Sequence, residues 1–195
     1  VSYSNNIIKI DQHTGEQTKI VLAARKQHTG AKIDKMRLEP MPDEQHIVLM
    51  LGKTAFAILD TQTDKIRHIK FTKGYLNDIC PVNDSIIYMG TTSGLYTYNI
   101  FNGQLAHTDI LQTKQVQSVI KDYGIGFWIA YDNNHLMKWI PSRKKVREVE
   151  NVEFFLNSHS VVNNMLEDEN QILWLATNNA GLIKLDMKHP KIKNI

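Results

Sequence analysis

The sequence is poor in cysteine, in charge of one sign and in long apolar runs. A single cysteine, Cys80, excludes an internal disulfide framework and a cysteine-rich zinc site. The 23 Lys and Arg residues nearly balance the 20 Asp and Glu residues, and this net charge of +3 argues against a nucleic-acid partner. Apolar runs reach only four or five residues, whereas a membrane-spanning helix needs about 20. With 42% apolar residues, the chain is globular, and disorder, collagen, coiled coil and a membrane span are excluded.

Catalytic and cofactor-binding motifs are also missing. None of the eight histidines forms H-x-H or H-E-x-x-H, and there is no G-x-S-x-G elbow, phosphate-binding loop or dinucleotide fingerprint. Cys80 precedes Pro81 without a nearby His-and-acid pattern, which favours a small buried hydrophobe over a nucleophile. We therefore expect no catalytic residue, no metal and no cofactor in this chain.

What the sequence does contain is an internal repeat. Four segments can be superimposed, at residues 36–60, 79–99, 119–139 and 165–186. The positions that we match across them are Leu49, Tyr88, Trp128 and Trp174, with spacings of 39, 40 and 46 residues. Each segment contains short aromatic and β-branched runs bounded by turn residues, which favours strands. A reverse turn follows each segment, and the same turn occurs at Asp11 with no matching segment before it.

The repeat predicts an all-β fold built as a β-propeller. Each unit reads as four antiparallel strands, and about 40 residues per four-stranded unit is typical of a propeller blade. The second strand, such as Phe127–Tyr131, is apolar on both faces, a pattern that only a strand between two neighbouring sheets requires. Trp128 and Trp174 are accordingly predicted to lie in the core between blades.

We expect four complete blades and an N-terminal half-blade. The predicted boundaries are 1–32 for the half-blade and 33–73, 74–113, 114–150 and 151–195 for the blades. Because a half-blade leaves an edge that invites pairing, and because the chain begins at Val1 without an initiator Met or a leader, we expect a piece of a larger propeller. The alternative is a small closed ring in which the N-terminal hairpin packs against the last blade.

The last unit resembles a known family. The matching residues are VNNMLED at 162–168, ILWLAT at 172–177, Gly181-Leu182 and Leu185-Asp186, and they resemble the two-component regulator propeller repeat. Residues 116–139 follow the same pattern, with Asp122, Gly126 and Trp128. The units at 77–99 and 36–60 are more degenerate, with Tyr88 and Leu49 in place of the tryptophan.

The resemblance implies a function in signalling. Such repeats form the periplasmic sensor region of hybrid two-component histidine kinases, many of which are thought to detect oligosaccharides. For this chain, the resemblance implies a non-catalytic sensor segment in the periplasm. Its expected partners are an oligosaccharide or another small ligand, the remaining blades of the same parent chain and, in a homodimer, a second copy. This chain contains no phospho-accepting His box, nucleotide lid or receiver-type acidic cluster.

Polar residues at the blade tips are the candidate ligand-binding residues. Amides, hydroxyls and an aromatic ring suit a neutral sugar through hydrogen bonds and stacking. The candidates are Lys53, Tyr75, Thr91, Ser93, Tyr131, Asp132, Asn133, Asn134, His159, Asn178 and Asn179. The same residue types also dominate turns for local reasons, so a purely structural role stays open.

Two other functions stay open. A protein-interaction scaffold needs an exposed apolar patch on one face. A glycosidase or lyase needs two carboxylates facing one pocket, and Asp109, Asp132 and the run Glu167-Asp168-Glu169 are the carboxylates considered. If these carboxylates lie on different faces, this enzyme interpretation fails.

Overall fold

The structure, a computed structural model, describes residues 6–22, 36–133, 135–150, 160–188 and 192–194. These residues form four four-stranded antiparallel sheets and one two-stranded sheet. The predicted all-β propeller, with four four-stranded blades and an N-terminal half-blade, is confirmed. Among the described residues, no helix has the length and apolarity that crossing a membrane requires.

The strands follow one another along the chain, one sheet at a time. The half-blade contains β1 (Asn6–Ile10) and β2 (Gln17–Val21). The first blade contains β3 (Met36–Pro40), β4 (His46–Leu51), β5 (Ala55–Asp60) and β6 (Ile66–Lys70). The second contains β7 (Leu76–Pro81), β8 (Ile86–Thr91), β9 (Gly94–Asn99) and β10 (Leu105–His107). The third contains β11 (Val116–Lys121), β12 (Phe127–Tyr131), β13 (His135–Ile140), the 3₁₀ turn Pro141–Arg143 and β14 (Lys145–Glu148). The fourth contains β15 (Val162–Glu167), β16 (Ile172–Thr177), β17 (Leu182–Asp186) and β18 (Ile192–Asn194).

The first strand of each blade is the innermost strand. Within a sheet, the strands pair in chain order, from the first to the fourth. Between sheets, β11 lies against both β7 and β15, and β7 lies against β3. The first strands are therefore grouped around the centre of the propeller, and the fourth strands form its rim.

Each blade has two apolar faces. We call the face that packs on the next blade along the chain the forward face, and the opposite one the backward face. The forward face of the third blade carries Trp128, Ala130 and Leu136, and these contact Leu173 and Ile183 on the backward face of the fourth. The same arrangement joins the first blade to the second, the second to the third, and the half-blade to the first. In the first three blades, the second strand of the blade lies between two such packed faces, and it is apolar on both sides, as predicted.

The two tryptophans differ in burial. Trp128 is only 2% exposed, which confirms its predicted place in the core between blades. Trp174 is half-buried, and its neighbours Leu166 and Leu182 are 64% and 42% exposed. The prediction that Trp174 also lies in the core between blades is wrong for this structure, because no described residue of another sheet packs on that face.

The equivalence assigned to Leu49 is also wrong, by one residue. Val48 lies three positions before the end of β4, as Trp128 and Trp174 do in β12 and β16. Val48 is on the forward face of its blade, whereas Leu49 faces backward, towards the half-blade. An error of one residue in the alignment of two strands exchanges their faces. Because β4 contains no Trp, Tyr or Phe, no aromatic residue was available to align it with β8, β12 and β16.

Candidate ligand-binding face

The tips that join the second strand to the third lie on one face of the propeller. Each tip lies beside the start of the innermost strand of its own blade, as shown by the pairing of Thr91 with Leu76 and of Thr177 with Val162. The innermost strands also begin next to one another, because the side-chain N–H of Asn77 donates to the Val116 carbonyl at 2.8 Å. We call this surface, which the tips share with the connections between blades, the tip face.

A reciprocal pair of hydrogen bonds recurs at three of the tips. The first residue of the tip donates its N–H to the carbonyl of a residue just before the innermost strand, and its side-chain oxygen accepts the N–H of that same residue. The three pairs are Thr92 with Tyr75 (2.9 and 2.9 Å), Asp132 with Gln115 (2.9 and 2.9 Å) and Asn178 with Val161 (3.1 and 2.7 Å). The Asp, Asn and Thr residues at this position therefore fix the backbone at the start of the innermost strand.

In the second blade, the candidate hydroxyls face the protein itself. Thr91 is fully buried, and its Oγ1 donates to the Gly94 carbonyl at 2.8 Å. Ser93 donates its hydroxyl to the Lys73 carbonyl. Gly94 has a φ of +126°, and a Cβ there would lie 2.8 Å from the Leu111 carbonyl oxygen, so only glycine fits this position. The tip of this blade is thus closely packed around its own backbone.

In the third blade, the candidate residues are also bonded within the chain. The Tyr131 hydroxyl donates to Glu148 Oε1 at 2.6 Å, and burial together with this carboxylate raises the pKa of Tyr131. Asp132 lies 2.8 Å from the Lys114 ammonium, and the Asn133 side-chain oxygen accepts a hydrogen bond from Gln117. These side chains hold the tip against β11, β14 and the preceding connection.

The most exposed candidates lie on the first, second and fourth blades. Tyr75 is 56% exposed. Lys53 is exposed in the neighbouring tip of the first blade, and the Lys53 carbonyl accepts the Leu76 N–H at 2.7 Å. Asn178 and Asn179 are exposed at the tip of the fourth blade. Asn134 and His159 lie outside the described residues. The tip face therefore brings Lys53 and Tyr75 close together and places Asn178 and Asn179 two blades away.

Sequence reasoning missed the polar residues that join the blades at the tip face. Each of β7, β11 and β15 has a bulge at its second residue, which is Asn77, Gln117 and Asn163 respectively. Asn77 bonds to Val116, and the Gln117 side-chain oxygen accepts the Val162 N–H at 3.4 Å. A polar residue at the same place in three repeats is the signal that would have revealed this contact between blades.

A buried ionic cluster also escaped the sequence analysis. Asp78 is 1% exposed and accepts hydrogen bonds from the Arg37 guanidinium, from the Ser118 hydroxyl at 2.7 Å and from the Val119 N–H at 2.9 Å. Burial raises the pKa of the Asp78 carboxyl, and the Arg37 charge opposes that rise. The pKa of Arg37 is raised as well, because the charges of Asp78 and Glu39 outweigh the effect of burial. The cluster joins the innermost strands of three blades.

The carboxylates considered for a glycosidase are divided between the two faces of the propeller, with Asp109, in the connection between β10 and β11, on the same face as Asp132. Asp132 lies on the tip face, whereas Glu167 and Asp168 lie at the other end of the fourth blade. Glu167 accepts the Tyr123 N–H at 2.8 Å, and Asp168 accepts the Trp174 indole N–H at 3.1 Å. The indole N–H and the backbone N–H of Ile172 lower the pKa of Asp168. Among the described residues, no three His, Cys, Asp or Glu side chains are grouped as metal ligands would be.

Comparison with known proteins identifies both the repeat and the fold. Residues 156–179 match the family model of the two-component regulator propeller. No curated protein matches the chain. Two extracellular domains from B. thetaiotaomicron, assigned to the hybrid two-component systems BT4673 and BT3049, have similar structures. The first is 18% identical over 91% of this chain and 24% of that one, with a TM-score of 0.64. The second is 13% identical over 97% of this chain and 24% of that one, with a TM-score of 0.62.

At such identities, structural similarity establishes the fold alone. A chain of the mitotic checkpoint complex aligns equally well, with 10% identity over 97% of this chain and 57% of that one and a TM-score of 0.62. The present chain spans about a quarter of the length of the two extracellular domains. The family match covers all of β15, all of β16 and the turn between them that holds Asp168. Residues 156–179 therefore match a two-component regulator propeller repeat, and the chain that contains them folds as a β-propeller.

Proposed function

We propose that this chain is a non-catalytic, ligand-sensing propeller segment in the periplasmic part of a hybrid two-component sensor kinase, and that its ligand is an oligosaccharide. The observation that carries the proposal is the two-component regulator propeller repeat at residues 156–179. The propeller fold shared with two extracellular domains of hybrid two-component systems supports it.

The tip face around Tyr75 is the proposed contact surface. An exposed aromatic ring stacks on the apolar face of a sugar ring, and neighbouring donors bind its hydroxyls. Tyr75 provides the ring, and Lys53 in the adjacent tip provides an ammonium group. Thr91, Tyr131 and Asp132 are bonded to the chain itself, and their role in the proposal is to hold the tips rigid.

The proposed mechanism involves no chemical step. A ligand held across blades binds one arrangement of a homodimer better than the other, and it shifts the population towards that arrangement by its differential affinity. The membrane helices of the parent sensor then transmit the shift to the kinase.

Calorimetry on the complete extracytoplasmic region, against a panel of plant and host oligosaccharides, tests this function. We expect saturable, micromolar binding to one glycan class. Tyr75→Ala should weaken binding about tenfold, which corresponds to about 1.4 kcal/mol. Tyr123→Ala is the matched control, because Tyr123 is also well exposed, at 65% against 56% for Tyr75, but lies at the opposite end of its blade. Equal affinities of the two variants would refute the assignment of the binding site to the tip face. If no oligosaccharide of the panel binds, the proposal that the ligand is an oligosaccharide is refuted.

A protein-interaction scaffold is the second candidate, because the structure does expose an apolar patch, at Leu166, Trp174 and Leu182. A folded protein that binds no oligosaccharide but retains a partner protein in a pull-down would favour it.

A further inference from the structure

The tip face is basic where the first and second blades meet. Three segments form this junction, namely the tip of the first blade at 52–54, the connection between the blades at 71–75 and the tip of the second blade at 92–93. Their sequences are GKT, FTKGY and TS, so they contain Lys53 and Lys73 but no Asp or Glu. Both lysines are exposed, and neither forms an ion pair with a described residue. Two ammonium groups beside Tyr75 are therefore available to an anion.

Hydrogen bonds to both tips fix the backbone of this junction. The Leu76 N–H donates to the Lys53 carbonyl at 2.7 Å in the tip of the first blade. The Ser93 hydroxyl, in the tip of the second blade, donates to the Lys73 carbonyl. The Tyr75 backbone is held by its reciprocal pair of hydrogen bonds with the same tip. The two lysines and the tyrosine thus extend from a backbone that a ligand does not have to order, which favours binding.

The other two junctions between complete blades differ in residue type. Gln115 and Val161 occupy the position of Tyr75, just before the innermost strand. At the junction of the second and third blades, the Lys114 ammonium lies 2.8 Å from the Asp132 carboxylate, which neutralises its charge. Among the described residues, an exposed ring beside two unpaired lysines is therefore specific to the junction of the first and second blades.

The opposite face of the propeller has the reverse charge pattern. Each of the four turns that join the first strand of a blade to the second contains at least one carboxylate. In chain order, the turns contain Asp43 and Glu44, Asp84, Asp122, and Asp168 with Glu169. The lysines of the tip face are therefore not part of a uniformly basic surface, and the field of the protein attracts an anionic ligand to the tip face rather than to the opposite one.

We propose that the ligand of the tip face is an acidic saccharide, whose sugar ring stacks on Tyr75 and whose carboxylate or sulfate group binds the ammonium groups of Lys53 and Lys73. The inference rests on the proposed sensing function and specifies its class of oligosaccharide. It replaces the neutral sugar that the sequence suggested, because the polar groups of Ser93 and Asn133 are already bonded within the chain. A lysine ammonium is a point charge on a flexible stem, so carboxylate and sulfate both suit it.

Calorimetry with matched pairs of oligosaccharides, on the complete extracytoplasmic region, tests the charge of the ligand. One pair is a galacturonic acid oligomer and its methyl ester, and the other is a sulfated galactose oligomer and its desulfated form. We expect the charged member of one pair to bind about tenfold more tightly than its neutral counterpart, which is what two exposed ion pairs together provide. This preference should shrink in about 1 M salt, where the screening length is only about 3 Å.

Substitutions that remove charge but keep the size of the side chain test the two lysines. We expect Lys53→Gln and Lys73→Gln each to weaken binding of the charged probe about two- to fivefold, and the double variant about tenfold. Neither substitution should alter the affinity for the neutral probe, and Lys53→Arg should keep the wild-type affinity. Lys121→Gln is the matched control, because Lys121 is also exposed but lies at the opposite face. Since all of these side chains are on the surface, the variants should be as stable as the wild type.

The possible results separate the acidic class from the sensing function. Equal affinities for the charged and neutral probes, with Tyr75→Ala still weakening binding, would overturn the acidic class and leave sensing at the tip face intact. If the lysine variants weaken binding but Tyr75→Ala does not, the lysines bind any anion, and recognition of an acidic saccharide is refuted. If none of the four probes binds, the inference is also overturned, and the panel of plant and host oligosaccharides then tests the sensing function by itself.

Discussion

Removal of the Asp78 carboxylate is expected to cost a large part of the stability of this propeller. Asp78 accepts hydrogen bonds from Arg37, Ser118 and the Val119 N–H at a site where it is 1% exposed. Asp78→Ala leaves a buried N–H and a buried hydroxyl without their acceptor, at about 1–3 kcal/mol each. It also deprives a guanidinium that is only 18% exposed of a partner, and breaking a buried ion pair costs about 3–5 kcal/mol.

Because these contributions overlap, we expect the free energy of unfolding to fall by about 3–5 kcal/mol in total, against about 5–15 kcal/mol for a typical domain. Urea denaturation at pH 7, followed by both tryptophan fluorescence and circular dichroism, measures the change. Asp84→Ala is the matched control, since Asp84 is exposed in the turn between β7 and β8, and it should alter stability by less than about 0.5 kcal/mol.

A double-mutant cycle separates the ion pair from simple loss of packing. Arg37→Met combined with Asp78→Leu removes both charges, and replacing a buried pair by apolar groups is close to neutral. The double variant should therefore be more stable than Asp78→Leu alone, and the cycle of Arg37→Met, Asp78→Leu and the double variant should give a coupling energy of at least about 2 kcal/mol between the two sites. A cost below about 1 kcal/mol for Asp78→Ala, or the absence of coupling, would refute the assignment of this cluster as a link between blades.

Two further predictions follow from ionisable groups. Burial raises the pKa of the Cys80 thiol to about 12, so we expect the native protein at pH 8 to resist a thiol-specific aromatic disulfide and the protein in guanidinium chloride to react fully; stoichiometric reaction of the native state would contradict this. At Asp122, burial opposes ionisation, but Lys138 at 2.6 Å and the Gly126 N–H outweigh it and lower the pKa. The stability that this carboxylate contributes is therefore present above about pH 3.8 and lost as the pH falls through its folded pKa. Asp122→Asn should make the unfolding free energy less dependent on pH below about 4, and an unchanged pH dependence would disprove it.

The repeating pattern of the sequence was sufficient to predict the all-β propeller. Short strands with turns every 8–12 residues and second strands that are apolar on both faces have few other solutions. The tryptophan marked the position of β12 and β16 correctly. In β4, which lacks a tryptophan, the alignment of the repeats was wrong by one residue, and Leu49 was assigned to the position that Val48 occupies.

The candidate site was less predictable, because residue type does not reveal what a polar side chain binds. Asp132 and Asn178 were chosen as ligand-binding residues, and both accept a backbone N–H of the chain itself. The exposure of Tyr75 and the roles of Gln117 and Asp78 depend on neighbouring blades, and their partners are about 40 residues away in the sequence. Local patterns do not show the partners in such contacts, although the polar residue repeated at Asn77, Gln117 and Asn163 marks one place where blades meet.

The sequence by itself determined the fold class, the repeat and the family of residues 156–179, since these depend on periodicity and on residue types at fixed spacing. Only the tertiary structure decided which faces are covered and which polar groups are already bonded. Trp128 and Trp174 have the same local sequence environment, yet one is buried and the other is half-exposed. The physical reason is that burial is a property of the neighbouring blade, which lies outside the repeat that the sequence pattern describes.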